Sequence, residues 1–212
     1  MTHFEFCQCT NPECRLRMPI DPQIHQGDFC PRCGALLERI FSEEENCAVS
    51  DRFFPRKYPI EVILDNIRSA YNVGAIFRIA DGAGIKHLYL CGITPNPKDH
   101  PAIRKTALGA EDQVDWSYHP NAVDVAYFLR EEGCHLLAME RKPESMMIGK
   151  YSTKTLQEQP IGLILGNERA GVDPGLIDLC ETVIALPMVG KKASLNVAVA
   201  FGIAAYWLSF CE

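Results

Sequence analysis

The sequence predicts an α/β fold, in which a parallel sheet is covered by helices on both faces and is preceded by a small cysteine-rich unit. From about residue 58 onward, short apolar segments of strand length alternate with longer segments of helical periodicity. This alternation is typical of parallel sheets, because a helix is the usual way to cross from one parallel strand to the next. Before residue 45, five cysteines occur in a stretch with little regular periodicity.

The size and charge of the chain limit its possible domain organisation and partners. A length of 212 residues suits one medium domain with a small appendage, and 47% apolar residues allow a sizeable core. The net charge of -6 argues mildly against a general nucleic-acid coat, but an RNA enzyme needs only a local positive patch. Candidates for such a patch are the basic pairs Arg104-Lys105, Arg141-Lys142 and Lys191-Lys192, for which the alternative is ordinary solvated surface charge.

The chain shows no sign of export or of membrane insertion. Its first residues, MTHFEFCQC, lack a basic stretch followed by an apolar one, so we expect no signal peptide. The longest apolar run, Val197 to Leu208, is shorter than the ~20 residues that cross a bilayer, and it predicts a buried helix. We therefore expect a cytoplasmic protein with no membrane partner, whose ten cysteines are free thiols or metal ligands.

The order of elements divides the chain into three parts: a cysteine-rich domain at 1–45, a charged linker at 46–57 and an α/β domain at 58–212. The predicted strands of the last part are Ile60–Leu64, His87–Cys91, His135–Met139, Ile161–Leu165 and Thr182–Leu186. The predicted helices are Val73–Gly84, Ala102–Ala110, Asn121–Glu131, Pro174–Leu179 and Leu195–Phe210.

The cysteine spacing in the first part predicts a structural zinc site in a small zinc-ribbon-like domain. Cys9 and Cys14 form one pair, and Cys30-Pro-Arg-Cys33 forms a second pair after fifteen intervening residues. Four thiolates brought together make the closed tetrahedral site that structural zinc prefers, and metal binding could supply most of the folding free energy of so short a segment. Cys7 could replace Cys9, although the shorter loop favours Cys9, and His3 and His25 are weaker candidates. Incidental thiols or a redox pair are the alternatives.

Three polar segments lie where strands give way to loops or helices. The first runs from Asp65 to Asp81 and contains Asn72 and, six residues later, Arg78. Open α/β sheets keep their sites at this carboxyl edge. An arginine can grip phosphate or stabilise a developing alkoxide, although a lone Arg78 is also explained by a surface salt bridge.

The second and third segments are rich in glycine and short polar residues. An apolar strand runs from Ile161 directly into Gly166-Asn167-Glu168, where a glycine lets a ligand approach the backbone, although an ordinary turn is the alternative. The third segment, Leu186 to Ala200, leads into the last helix, for which Ser194 is a candidate N-cap. That helix is apolar around most of its circumference, which predicts cover by the core and by a second subunit.

Taken together, these segments resemble the three motifs of the SpoU (TrmH-type) class of RNA 2′-O-ribose methyltransferases in the SPOUT superfamily. The resemblance covers residues 58–212 and rests on Asn72 with Arg78, on Gly166-Asn167-Glu168 with Gly171, and on Leu186-Pro187-Met188 with Ser194-Leu195-Asn196. It implies an α/β sheet whose C-terminal segment forms a trefoil knot. It also implies a homodimer with the active site near the subunit interface, and RNA (tRNA or rRNA) as the partner.

The same resemblance implies which residues act. Catalytic roles fall to Arg78, Asn72, Glu168, Ser194 and Asn196. S-adenosylmethionine would be held in the knot by Leu165, Gly166, Asn167, Gly171, Leu186, Met188, Ser194 and Leu195. Our hypothesis is that Arg78 stabilises the forming ribose alkoxide, because no histidine lies in the motifs to serve as a base. Because the 2′-hydroxyl distinguishes RNA from DNA, DNA is not an expected substrate.

Two rival interpretations stay open at this point. The first is a catalytically silent RNA-binding protein that kept the fold, against which the intact set of motif residues counts. The second is a zinc-dependent or thiol enzyme centred on the N-terminal cysteines, which would need an open metal position or a thiol of lowered pKa.

Overall fold

The computed structural model describes residues 4–24, 27–42, 58–152 and 159–210. These residues form two compact units, Met1–Phe54 and Pro55–Glu212. The predicted linker at 46–57, together with His3, His25, Cys47 and Cys211, lies outside the described residues. Within the described part of the chain, no helix has both the length and the apolar character needed to cross a membrane.

The first unit is a small antiparallel sheet. Strand β1 (Glu5–Cys9) lies between β2 (Arg17–Ile20) and β3 (Leu37–Ser42), and a register shift between Phe6 and Cys7 marks a bulge in the pairing of β1 with β3. The sequence did not predict these strands, because neither apolar alternation nor β-branched residues mark them. Cys9 ends β1 and Cys14 lies in the loop that follows it, while Cys30 and Cys33 lie in the loop between β2 and β3.

The second unit is built on a seven-stranded sheet in which each described pair of neighbours is parallel. Its strands are β4 (Ile60–Asp65), β5 (His87–Cys91), β6 (Trp116–His119), β7 (His135–Met139), β8 (Met146–Met147), β9 (Ile161–Leu165) and β10 (Thr182–Ala185), in the order β6-β5-β4-β9-β7-β10-β8. The chain first winds outward from β4 to β6 and then returns to the other side, so that β9 fills the place between β4 and β7. This switch in direction opens a crevice at the carboxyl ends of the central strands, where open α/β sheets bind ligands.

Helices cover both faces of the sheet, as predicted. The helices are α1 (Ala70–Ala83), α2 (Arg104–Ala107), α3 (Ala122–Glu131), α4 (Pro174–Ile177) and α5 (Val197–Phe210). Residues of α1 and α5, with Phe77 and Phe201 fully buried, pack on one face in the larger core cluster. Residues of α3 and α4 form a second cluster on the opposite face, around Ile63, Leu136 and Ile164. Most strand residues are therefore buried on both sides, which explains their continuous apolar runs.

The predicted element bounds agree with the structure except at a few places. The predicted helix Ala102–Ala110 is shortened to α2, because Leu108 (φ 53°) and Gly109 (φ 93°) adopt left-handed conformations that end it before a 3-10 turn at Ala110–Asp112. Helix α1 begins earlier than expected, at Ala70, because Ser69 accepts a hydrogen bond from the backbone N–H of Asn72 and caps it. Strand β6 was missed, since Trp-Ser-Tyr-His lacks an apolar run.

Candidate functional site

A cavity in the second unit opens at the carboxyl ends of β7, β9 and β10. It has a volume of about 510 Å³, which is within the range of small-molecule sites. Its wall is formed by the two loops that follow β9 and β10, by the first residues of α5 and by Asn72 of α1. Apolar and polar surfaces contribute comparably, as a ligand with both characters requires. The switch point of the sheet has therefore produced a cavity where the topology predicts one.

The loop after β9 is fastened to the start of α1 by one carboxylate. Glu168 Oε2 accepts a hydrogen bond from the backbone N–H of Arg68 (2.9 Å), and its Oε1 accepts from the backbone N–H of Ser69 (3.2 Å). Burial of Glu168 alone would raise its pKa, but these backbone donors and the Asn72 side chain hold the pKa below its usual value. Glu168 is thus held as a carboxylate that joins the second motif to the first.

Asn72 links this carboxylate to the third motif. Its Nδ2 donates to Glu168 Oε1 (3.0 Å), while its Oδ1 accepts from Asn196 Nδ2 (2.9 Å). Asn196 Oδ1 in turn accepts from the backbone N–H groups of Ala198 (2.9 Å) and Val199 (3.3 Å). Asn196 is therefore the N-cap of α5, and the assignment of that cap to Ser194 was wrong. A chain of three polar side chains connects all three motifs.

The loop after β9 turns back on itself very closely. A Cβ atom on Gly166 would overlap the carbonyl group of Gly171 and the nitrogen of Val172, so only glycine fits at this position. Asn167 stabilises the same turn, because its Oδ1 accepts from the backbone N–H of Arg169 (2.9 Å) and its Nδ2 donates to the carbonyl of Asn66 (2.7 Å). The loop is consequently fixed before any ligand arrives.

Glu140 and Arg141 are site residues that the motifs did not reveal. They follow β7, where Glu140 Oε2 accepts from the backbone N–H of Val172 (2.9 Å). Arg141 Nη1 donates to the carbonyl of Ala193 (2.7 Å) and so holds the loop before α5. A charged pair directly after a buried strand is the sequence signal that would have found them, because that position is at the carboxyl edge of the sheet.

The structure brings most of the predicted site residues together. All eight predicted cofactor-binding residues line the cavity, as do four of the five predicted catalytic residues; the lining includes Leu165, Gly166, Asn167, Gly171, Leu186, Met188, Ser194, Leu195, Asn72, Glu168 and Asn196. Arg78 does not line it. This arginine is exposed on α1, and its side chain makes no hydrogen bond or ion pair with the described part of the chain. Six residues along a helix separate it from Asn72 by about 9 Å, which explains the difference.

The first unit carries the predicted cysteine cluster. The Sγ atoms of Cys9, Cys14, Cys30 and Cys33 all lie within 4.8 Å of one another, with 3.4 Å between Cys9 and Cys33 and 3.9 Å between Cys14 and Cys30. A tetrahedral zinc with Zn–S bonds of ~2.3 Å requires sulfur atoms ~3.8 Å apart, so the four thiols fit this ion. Cys7 is buried nearby on β1 but does not belong to the cluster.

Backbone donors in the second cysteine loop favour a thiolate. Burial by itself would raise the pKa of Cys30, but the backbone N–H groups of Arg32 and Cys33 donate to its sulfur and lower the pKa to about 7. Such N–H to sulfur contacts stabilise the charge of a metal-bound thiolate. With four cysteine ligands the site would be closed, which is the arrangement of a structural metal and leaves no position for a substrate.

Comparison with known proteins identifies relatives of the second unit. A family model described as the SpoU rRNA Methylase family matches residues 59–206. Among curated proteins, the chain is 26% identical over 145 residues to the 23S rRNA (guanosine-2′-O-)-methyltransferase RlmB of Blochmanniella floridana, covering 68% of this chain and 55% of that protein. The chain thus spans little more than half the length of this relative.

Two solved structures of RNA-modifying enzymes also resemble this chain. The AdoMet-bound rRNA methyltransferase from Sinorhizobium meliloti superposes with a TM-score of 0.63 at 28% identity, covering 70% of this chain and 54% of that one. The TrmH/SpoU tRNA-modifying enzyme of A. aeolicus superposes with a TM-score of 0.62 at 27% identity, covering 71% and 75% respectively. The family model's range, residues 59–206, contains the cavity and its three motifs.

Proposed function

This chain belongs to the SpoU rRNA Methylase family, and we propose that it transfers a methyl group from S-adenosylmethionine to a ribose 2′-hydroxyl of a tRNA or an rRNA. The observation that carries the proposal is the single cavity into which the three motifs converge. Relatives in this family are described as rRNA 2′-O-methyltransferases and as an AdoMet-bound methyltransferase.

The cavity fits S-adenosylmethionine in size and in chemistry. Its volume of about 510 Å³ accommodates a molecule of that size, and the tight turn at Gly166 exposes backbone groups on the wall. Apolar side chains such as Leu165 and Leu186 face the same space as the polar groups of Ser194 and Asn196. When bound, the cofactor supplies an electrophilic methyl group, and Leu186, Met188 and Leu195 would hold it next to Gly166 and Gly171.

The chain's own residues would prepare the ribose for attack. Holding the hydroxyl in line with the methyl group can be worth ~7–11 kcal/mol in favourable cases. Asn72, Glu168 and Asn196 form a preorganised hydrogen-bonded chain on the wall, and Ser194 adds a hydroxyl. We assign them to orientation of the ribose. As the ribose oxygen bonds to the methyl carbon and the carbon–sulfur bond of the cofactor breaks, the hydroxyl proton would pass to an RNA phosphate or to solvent water. Arg78 would stabilise the negative charge that develops on the oxygen, since a guanidinium stays charged at any working pH.

The position of Arg78 supports a homodimer. The exposed side of α5 carries a stripe of apolar residues at helical spacing: Val199, Ile203, Tyr206 and Phe210, each more than 40% exposed. Exposed apolar stripes of this kind are typical of subunit interfaces. Because α1 packs beside α5, a second copy seated on this stripe would also come close to Arg78. We propose that the partner completes the site, with Arg78 of one subunit serving the cavity of the other.

The dimer has a direct test with a matched control. Ile203→Glu places a charge in the middle of the stripe, and we expect it to convert the protein to monomers in sedimentation velocity. Phe128→Glu changes a similarly exposed apolar residue on α3, on the opposite face of the sheet, and should leave the mass unchanged. A wild-type monomer, or dimers in both variants, would contradict the proposal.

The methyl transfer is tested with Arg78→Ala. Using tritiated S-adenosylmethionine and RNA from cells that lack the protein, we expect the variant to lose about 10²–10³ in rate. Calorimetry should show unchanged cofactor binding, because Arg78 does not line the cavity. Arg130→Ala serves as the control, because Arg130 is also an exposed arginine but lies on α3. A variant that methylates at nearly the wild-type rate would refute the assigned role. A wild-type protein that takes up no S-adenosylmethionine would favour the silent RNA-binding protein.

We further propose that residues 1–45 form a structural zinc domain on Cys9, Cys14, Cys30 and Cys33, followed by a linker at 46–57 and the methyltransferase domain at 58–212. The geometry of the four sulfur atoms supports the zinc. The closed set of ligands counts against a zinc enzyme centred on this unit. The trefoil knot of the C-terminal segment and the cytoplasmic location stay predictions.

A further inference from the structure

A second depression lies at the same carboxyl edge of the sheet, beside the edge strand β6. It has a volume of about 890 Å³ and is lined by the loop after β5 and by β6; its walls include Ile93, Asn96, Lys98, His100, Trp116 and Tyr118. We propose that it binds one unpaired nucleotide of the RNA substrate, away from the nucleotide that is methylated. This inference rests on the proposed function, because that function identifies the RNA that would bind. The presence of the site does not depend on the proposed function.

The loop that forms the floor is rigidly held. Thr94 is buried, its hydroxyl donates to the carbonyl of Leu64 (2.9 Å), and it accepts from the backbone N–H of Ile67 (3.0 Å). Asn66, in a left-handed conformation (φ 56°), accepts from the backbone N–H of Ile93 (3.2 Å) through its Oδ1. A loop fastened in this way loses little conformational entropy when a ligand binds.

Two aromatic rings and a cation give the depression its chemistry. The Tyr118 ring is half-exposed, and its hydroxyl donates to the carbonyl of Gly92 (2.9 Å), which keeps the ring in place. The Trp116 ring packs edge-on against Phe77, and Lys98 Nζ lies 5.6 Å from its centre. Aromatic rings next to a cation are the usual means of binding a base with its phosphate, because the ring stacks on the base and the cation faces the backbone.

The remaining polar groups suit the edge of a base. The Asn96 side chain donates to Asp99 Oδ2 (2.7 Å) and accepts backbone N–H groups of its own turn, so Asn96 and Asp99 are fixed relative to each other. Asp99 and His100 are exposed. An exposed carboxylate beside an imidazole offers both an acceptor and a donor to the Watson–Crick edge of an unpaired base.

The location favours RNA as the occupant over a separate small molecule. Both depressions are lined by loops that follow strands at the carboxyl edge of the sheet, and β6 and β9 are three strand spacings apart, about 15 Å. Asn66 also joins them directly, because its carbonyl accepts from Asn167 Nδ2 while its side chain holds the loop at Ile93. An RNA loop across this edge would therefore reach both. Paired bases in an A-form duplex do not expose their faces, so the site should require an unpaired nucleotide.

The test compares RNA binding in Tyr118→Ala and Tyr127→Ala. Tyr127 lies on α3 and is 47% exposed against 50% for Tyr118, which makes it a matched control. The probe is a short fluorescein-labelled single-stranded RNA, with a blunt duplex of the same sequence as comparison. We expect Tyr118→Ala to weaken single-strand binding about tenfold or more, because one base–aromatic stack is lost. Tyr118→Phe keeps the ring and should bind nearly as the wild type does, and Tyr127→Ala should not change.

Ile93→Glu is a second variant in case Tyr118→Ala does not fold. Ile93 is 66% exposed, so its replacement leaves the core intact while it places a negative charge in the depression. We expect a loss of single-strand binding of the same size. Three results would overturn the inference. They are equal effects of Tyr118→Ala and Tyr127→Ala on binding, equal losses of single-strand and duplex binding, and no single-strand binding by the wild type. Tyr118-dependent binding without any methyl transfer would instead refute the proposed function and leave the nucleotide site standing.

Discussion

The two units of this chain obtain their stability from different sources. Among the described residues of the first unit, the buried apolar side chains are Cys7, Cys9, Ile20 and Cys30, of which three are cysteines. The second unit buries two large apolar clusters, one on each face of its sheet, with Phe77 and Phe201 completely enclosed. Free energy from apolar burial rises with the buried area, so only the second unit has a core that could support folding alone.

This difference shows why the sequence of each unit looks as it does. Where the core supplies the free energy, the chain needs long apolar runs and tolerates scattered single cysteines, such as Cys91 and Cys134 in the second unit. Where a metal supplies it, the chain needs only four ligands at suitable spacing, and the rest can be polar. Cysteine spacing is therefore the informative signal in the first unit, and apolar periodicity is the informative signal in the second.

The largest effect is expected from removing a metal ligand of the first unit. Cys30→Ser removes one ligand, and zinc sites in small domains supply about 10–16 kcal/mol of apparent binding free energy. We expect the first unit to unfold and the second to remain folded. Backbone NMR of the full chain checks this, with loss of dispersed signals for residues 4–42 only. Cys91→Ser, at a buried thiol outside the cluster, is the control. Retention of the dispersed signals in Cys30→Ser would show that no metal holds the unit.

A smaller effect is expected from a cavity in the core. Phe201 is fully buried between α5 and the sheet, and Phe→Ala at such positions costs about 3–5 kcal/mol. Phe201→Ala should lower the thermal midpoint of the second unit strongly and leave zinc content unchanged. Phe210→Ala, on the exposed side of the same helix, should cost far less in a monomeric variant such as Ile203→Glu. Equal losses at both positions would contradict the assigned core.

Gly166→Ala distinguishes an effect on the cofactor site from an effect on the stability of the core. The new Cβ would overlap Gly171 and Val172, so the loop must shift, at a cost of about 1–3 kcal/mol typical of overpacking. We expect S-adenosylmethionine binding to be lost in calorimetry, while the thermal midpoint falls only moderately. Gly190→Ala, at a glycine with open space around its Cβ, should bind normally. Normal binding by Gly166→Ala would mean that this loop does not shape the cofactor site.

The smallest expected effect is a pH dependence carried by Glu168. Its pKa is lower in the folded chain than its ordinary value, so its contribution to stability is complete above that value and is lost as the pH falls through the folded pKa. Unfolding of the second unit, followed by circular dichroism, should therefore become easier in this acid range. Glu168→Gln should flatten this part of the profile. An unchanged profile in the variant would show that other carboxylates, such as Glu61 with its lowered pKa, dominate.

The fold was predictable because its signals are local. Strands β5, β7 and β9 had the predicted bounds, since each is a short apolar run followed by a turn signal. Helix α2 was predicted too long, because the left-handed turn at Leu108 has no sequence mark of its own apart from the glycine after it. Strand β6 was missed because its side chains are aromatic and polar, as an edge strand beside a binding surface allows.

The candidate site was only partly predictable. The motifs identified the residues that line the cavity, but they could not show that Asn196, and not Ser194, caps α5, because the choice depends on where that helix begins. Nor could they show that Arg78 lies away from the cavity, or that Glu140 and Arg141 fasten its loops from the end of β7. Those facts depend on contacts between residues far apart in the chain.

By itself, the sequence determined the alternation of strands and helices, the family motifs and the cysteine spacing, because each is set by neighbours along the chain or by fixed residue types. Tertiary structure alone decided that β9 enters the sheet between β4 and β7, and so brings Gly166 and Glu168 against Asn72. It also decided that a second, aromatic depression opens on the same edge. The physical reason is that strand order and loop packing are chosen by the burial of whole faces, which no local segment records.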